Sequence, residues 1–592
     1  MYRFLFLTII GCWLAEIQFL QANNEWQTYY ELHNQNRTPG YLETLEFSRA
    51  LSEASPLIHY TVMGYSHRQR EIPLLILDGN GNFTPEKVKA SGNKILFIQA
   101  AIHAGEPAGK DAGLILLRDI AIHGNYTEYL ENLTIVFIPI LNVDGHERFG
   151  PCNRINQNGP EEMGWRNNAL NINLNRDYLK ADSKEIKAFL NLWHNWEPDF
   201  FIDTHSTNGG DYQYVMTYVM EIFGAADKNL VHWMEHEYLP RVKQKMEQDG
   251  YPIFPYVTYR SWHDPRSGIR SGVFNPMFST GYVTELNRPG LLLETHMLKP
   301  YQMRVESTLL MILHTMDILH HDKQLRSIIE EADRYTASSE FRKNKFSLRF
   351  ELTGDSVIVD FLGVEYKKKE STLSGGNWFI YDSDKPRTYR IPWFNKNRPV
   401  YEVKLPEAYI IPVEYKDVID RLSLHGVEMI SLPEDVEIKV ESYRFSDVRL
   451  DSRSREGRQT ASFKTIPYIE TRNYPKGSVI VPMNQSRARI IAHALEPMAP
   501  GSFVYWGFFN SVFERVEYFE SYVMEEMARE MLAQDPSLRI RLEKAMEENP
   551  AMAQNPFAIL SWFYEQTPYY DQKHNIYPVG RIMDGALLPD IR

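Results

Sequence analysis

Over the first 330 residues, short apolar runs alternate with segments of helical period. Tyr60 to Gly64, Ile72 to Leu77, Lys94 to Ile98, Leu133 to Leu141, Asp199 to Asp203 and Gly290 to Leu293 read as strands. Between them, apolar positions at helical spacing predict two short helices within residues 25–60 and one from Ala112 to about Ile122. A further helix carries Ile186, Phe189, Leu190 and Trp193 on one face, with Asp182 and Glu185 as its capping box. Helices also fill 221–248, and a long one runs from Tyr301 to His320. This alternation predicts an α/β fold: a mostly parallel, mixed sheet flanked by helices.

After about Asp333 the pattern changes. Phe346 to Leu352, Ser356 to Phe361, Asn377 to Tyr381, Val436 to Val440 and Ser478 to Val481 read as strands. Tyr409 to Ile411, a helix to Leu424, and Val427 to Ile430 form a β-α-β pattern. Helices are expected over 486–495, 512–533 and 537–546. Residues 25–333 therefore read as a main domain. Residues 335–592 read as a C-terminal β-rich, then helical (α+β) accessory region of one or two domains, with no assignable role.

The first residues alter this picture. One positive charge at Arg3 precedes an uncharged apolar run from Phe4 to Ala15, and more polar sequence leads to Ala22. That is the pattern of a signal peptide over 1–22, implying a secreted or periplasmic protein. The run is short for a stable membrane span. Ile9-Ile10-Gly11-Cys12 resembles a lipoprotein processing box and leaves anchoring at Cys12 as the alternative. Once 1–22 is removed, Cys152 is the remaining cysteine, so no intramolecular disulfide is expected. The net charge of −13 argues against nucleic acid or an anionic membrane as a partner.

The candidate chemistry lies at the carboxyl ends of predicted strands, where open α/β sheets place their ligands. After Lys94 to Ile98 comes Gln99-Ala100-Ala101-Ile102-His103-Ala104-Gly105-Glu106, with an imidazole and a carboxylate three residues apart on a turn. After Leu133 to Leu141 comes Asn142-Val143-Asp144-Gly145; His205 and Glu294 end two later strands. Two histidines and a glutamate make a three-ligand zinc set with a fourth position open, the catalytic type of site. Glu294 is then the candidate base for a water. His146, His263 and His296 read as structural.

In their order these residues resemble the zinc carboxypeptidase A-like (M14) family. His103-x-x-Glu106, His205 and Glu294 match its ligands and base; Asn142-Val143-Asp144-Gly145 is similar to its Asn-Pro-Asp-Gly turn. Trp165-Arg166 and the segment from Asn171 to Tyr178 match two further pieces. The resemblance spans about residues 40–325 and is to large bacterial secreted members. It implies one Zn2+ per catalytic domain, held by His103, Glu106 and His205. It implies Arg166 as the transition-state arginine, and Asn175 with Arg176 as the grip on the substrate's terminal carboxylate. A substrate-contacting tyrosine is also expected. Tyr282 is the candidate, with Tyr256 and Tyr259 as rivals.

The expected function is removal of C-terminal residues from peptides or proteins by zinc-activated water. Two alternatives stand beside it: a zinc amidase acting on γ-D-glutamyl cell-wall peptides, and an inactive peptide-binding protein on the same fold. The preferred C-terminal residue and the oligomeric state stay open.

Overall fold

The structure, a computed structural model, describes residues 26–224 and 226–588. The leader-like run and Cys12 lie outside the described residues. Among the described residues no helix is long and apolar enough to cross a membrane.

The main sheet has eight strands: β1 (Ile58–Tyr65), β2 (Glu71–Asp78), β3 (Lys94–Gln99), β4 (Leu133–Ile138), β5 (Phe200–Thr207), β6 (Met216–Met220), β7 (Ile253–Pro255) and, after the two-residue β8 (Ile269–Arg270) of another sheet, β9 (Gly290–His296). Their order is β1-β2-β4-β3-β5-β9-β6-β7. The four middle strands, β4, β3, β5 and β9, run parallel. The edges are joined by antiparallel pairs, β2 with β4 and β6 with β9. The sheet is therefore mixed, and parallel where it matters for the site.

Strand alternation explains how it is buried on both faces. In β3, Ile95 and Phe97 pack with Phe189, Trp193 and Phe201 in one core. Leu96 and Ile98 face the opposite core, with Leu291, Leu293, Met311, Ile312 and Met316. The helices that cover these faces include α1 (Ala108–Ala121), α2 (Lys184–Trp196), α3 (Ser279–Glu285) and α4 (Tyr301–His321). Helix α1 lies so close to β5 that a Cβ at Gly109 would sit 2.0 Å from Thr204 Oγ1; only glycine allows that approach. The first turn of α2 differs from expectation. Its N-cap is Ser183, whose hydroxyl accepts from the Ile186 amide. Asp182 instead turns outward to two arginines, Arg421 and Arg458. Two guanidinium partners outcompete one helix-end amide for a carboxylate.

The C-terminal strands are β10 (Lys345–Leu352), β11 (Val357–Glu370), β12 (Asn377–Phe394), β13 (Asn397–Lys404), β14 (Ala408–Ile411), β15 (Ile430–Ser431), β16 (Val436–Leu450), β17 (Ala461–Tyr474), β18 (Val479–Pro482) and β19 (Gly580–Ile582). The hairpins β11–β12 and β16–β17 are much longer than the apolar pattern suggests. Six strands form a second sheet, ordered β15-β18-β14-β19-β16-β17. The strands flanking the predicted β-α-β helix, β14 and β15, both pair antiparallel with β18, which lies between them. The late strand β19 is inserted between β14 and β16.

This region is packed onto the main domain. Tyr409, Ile411, Leu422, Val481 and Tyr577 belong to the same apolar core as Phe97, Phe189 and Trp193. The hairpin β11–β12 meets β8, and Ser383 donates to Asp211, beside the main sheet.

Candidate active site

Four elements deliver the site. The backbone turns sharply after β3, with Ala101 in the left-handed region at φ +53°, and His103 and Glu106 follow. His205 and Glu294 are register partners on the adjacent parallel strands β5 and β9, so both project from one face of the sheet. The loop between β4 and α2 brings Arg154, Arg166, Asn175 and Arg176. All of these residues line one cavity of about 510 Å3.

His103 Nδ1 lies 3.3 Å from Glu106 Oε2, and His205 Nδ1 lies 3.1 Å from both that oxygen and His103 Nδ1. The donor atoms of His103, Glu106 and His205 all fall within 4.8 Å of one another, and all three residues are buried.

The outer ring nitrogens fix the tautomers. His205 Nε2 donates to Asp203 Oδ2 at 2.8 Å. His103 Nε2 faces Asn173 Oδ1 at 2.9 Å, and that oxygen also accepts the Asn175 amide, so His103 Nε2 must donate. Both Nδ1 atoms are thereby left as lone pairs. They point at a carboxylate. Three acceptors in mutual contact repel unless a cation sits among them, and two imidazoles with one carboxylate suit zinc.

A proton on His205 Nδ1 is the other cation that can relieve this repulsion. Against burial, Asp203 and Glu106 push His205 up to about 10, whereas burial holds His103 down at about 4. The cluster draws positive charge to its centre. Glu106 is held well below the usual carboxylate range: burial opposes this, but His103 and Arg154 outweigh it. Arg154 Nη2 contacts Glu106 Oε1 at 2.6 Å, and Arg166 Nη1 contacts it at 3.3 Å.

Glu294 faces the same space. Burial pushes it up to about 8; His205 and Arg166 pull against that, while Glu106 and Asp203 add to it. Its Oε2 is buried and has no hydrogen-bond partner among the described residues. A carboxyl that titrates near neutrality can both take and return a proton.

On the other side of the cavity, Asn175 Oδ1 accepts the Ser279 amide at the start of α3. Arg176 stacks over Phe278 at 4.3 Å and donates to the Asn175 carbonyl. Among the described residues it makes no ion pair. Beyond it, Val219 and Leu292 are cross-strand partners, two residues before Glu294 on the same face. With Phe274, Phe278 and Thr280 they form an uncharged wall.

Tyr282 corrects an expectation. It is fully buried in α3, outside the cavity, and its hydroxyl is 2.9 Å from His425 Nδ1. Helix α3 carries it into the core shared with the C-terminal region. Tyr256, just after β7, lines the cavity in its stead.

Sequence reasoning missed Asp203, Asn173 and Arg154. Asp203 was detectable, because it lies two residues before His205 on one strand and so on the same face. Asn173 and Arg154 sit on an irregular loop with no periodic signal.

Residues 44–302 match the Peptidase_M14 family, described as zinc carboxypeptidase. Carboxypeptidase 2 of Trichophyton rubrum is 25% identical over 488 residues, covering 78% of this chain and 83% of that protein. Carboxypeptidase 2 of Trichophyton equinum is 24% identical over 484 residues, with the same coverage of 78% and 83%. These shares are larger than residues 1–333 could supply, so the likeness extends into the C-terminal region. Both relatives are fungal and lend no support to a bacterial origin. Among solved structures, carboxypeptidase A from Helicoverpa armigera is 13% identical, covering 49% of this chain and 75% of that one at a TM-score of 0.37. By the family match, residues 44–302 of this chain are similar to the zinc carboxypeptidase domain of the Peptidase_M14 family.

Proposed function

We propose that this chain is a zinc carboxypeptidase that removes C-terminal residues from peptides and favours apolar ones. One observation carries the reading: a three-acceptor cluster shares a cavity with Arg176, a half-buried guanidinium that has no carboxylate partner among the described residues. A free peptide C-terminus supplies what that guanidinium lacks.

His103, Glu106 and His205 would hold the zinc, which when bound supplies Lewis acidity to the scissile carbonyl and to water. Glu294 takes the attacking water's proton and passes it to the leaving amine. Arg166 donates to the developing oxyanion. Arg176 binds the terminal carboxylate through its planar fork, and Asn175 adds a hydrogen bond. Tyr256 is the tyrosine that contacts substrate. The last side chain lies against Val219, Phe274 and Leu292, which disfavours a charged group there. The leader-like run of residues 1–22 supports export of the enzyme.

The test compares one peptide pool with free C-termini and the same pool amidated, read by mass spectrometry. Loss of single terminal residues from the free pool alone is expected, with Phe and Leu leaving faster than Asp, Lys or Arg. Cleavage of both pools would refute the carboxylate grip. No cleavage of either pool by zinc-loaded protein would refute the carboxypeptidase reading.

A further inference from the structure

We propose that the C-terminal region is a working part of this site, and that Glu456 is its positioning residue. The inference rests on the zinc site proposed above. Glu456 lies at the tip of the loop between β16 and β17, 283 positions from the segment it touches. Its Oε2 accepts the backbone amide of Asn173 at 2.8 Å. Asn173 in turn uses one side-chain oxygen to hold His103 Nε2 and the Asn175 amide. One carboxylate therefore steadies both the orientation of a metal-ligating imidazole and the start of the Asn175–Arg176 grip. Burial and Arg166 pull the Arg176 guanidinium down, and the Glu456 charge partly offsets them.

The loop is built to hold that carboxylate in place. Arg455 and Arg458 exchange backbone hydrogen bonds, so Glu456 and Gly457 are the two central residues of a tight turn. Their φ values are +48° and +78°. A turn with both central residues left-handed prefers Asn, Asp or Gly first, and a glutamate there is strained. Such strain persists where the surroundings impose it, and it collects at functional sites. The surroundings here are specific. Arg458 binds Asp182 bidentately, at 2.6 and 2.7 Å, and stacks on Phe508 at 3.7 Å. Arg421 reaches the same Asp182 from the C-terminal helix Lys416–Leu424. Asp182 is thus the anchor on the main domain, and Glu456 is what the anchored turn presents to the site. A surface loop with no part in the chemistry has no need of a left-handed glutamate aimed at the amide of a histidine's partner.

The test uses the full chain and two variants. Glu456→Gly removes the carboxylate while suiting the left-handed turn; Glu456→Gln keeps an acceptor oxygen. Two quantities are read: deuterium uptake over residues 171–178, and zinc affinity by competition with a chelator. The expected result for Glu456→Gly is faster uptake in that segment and roughly tenfold weaker zinc binding, the scale of lost outer-shell support. Glu456→Gln should stay close to the parent in both. Uptake and affinity unchanged in Glu456→Gly would overturn the proposal. A parent chain that binds no zinc would refute the proposed function, while uptake over 171–178 would still decide the role of Glu456.

Discussion

At Arg176 a guanidinium is kept half-buried, with the Asn175 carbonyl and the face of Phe278 as its contacts and no ion pair among the described residues. A charge in that position is costly unless a ligand completes it. Arg176→Ala should therefore lower kcat/KM on free-carboxylate peptides by roughly a hundredfold or more, chiefly through KM, in steady-state kinetics. An unchanged KM would remove Arg176 from the substrate grip. Glu294 answers to a different quantity. Glu294→Gln should lower kcat by about 10²–10⁴-fold and leave zinc affinity within a few-fold of the parent. His103, Glu106, His205 and Glu294 were legible because each follows or ends a buried strand, whereas Arg166, Asn175 and Arg176 were legible through the family resemblance alone. Tyr282 was misread because nearness in sequence to Glu294 says nothing about direction, and α3 turns that tyrosine into the core.

Helix α2 shows how an element can carry a pH response. Glu185, in its first turn, is fully buried, accepts from Asn168 Nδ2 and leaves Oε1 without a partner among the described residues. Burial, reinforced by Asp144 and Asp177, pushes its carboxyl up to about 7 from 4.5. The folded state thus binds a proton that the unfolded chain releases. That stability is fully present below pH 4.5 and is lost as the pH rises through 7. The full effect is about 3 kcal/mol. Glu185→Gln mimics the protonated carboxyl, so its melting temperature should fall less between pH 5 and pH 7.5 than the parent's. Parallel declines would sink the assignment. Element type and order in the main sheet were readable from period and burial. The long hairpins were not. In β11, Lys367, Lys368, Lys369 and Glu370 carry polar groups on both faces, because that half of the strand is exposed. With no buried face, alternation leaves no trace in sequence.

At the scale of the whole molecule, the C-terminal region is a second wall of the first core. Leu422, Tyr409 and Val481 share a cluster with Trp193 and Phe189. At Gly426 the approach is so close that a Cβ would lie 2.8 Å from His194 Nδ1. Each large apolar side chain uncovered by deleting this region costs about 1.5–3 kcal/mol. A chain ending at Ala337 should therefore fail to give a soluble, cooperatively melting monomer by size-exclusion chromatography and circular dichroism. A well-behaved truncated monomer would refute the shared core. From sequence, residues 335–592 look like an attachment, because pairings such as Asn173 with Glu456 join positions hundreds of residues apart and leave no local pattern.

The position of β19 adds a matter of timing. This strand, Gly580–Ile582, fills a gap between β14 and β16, which are made far earlier in the chain. A ribosome releases residues from the amino end onward, so the second sheet stays open at its middle until residues 580–582 have emerged.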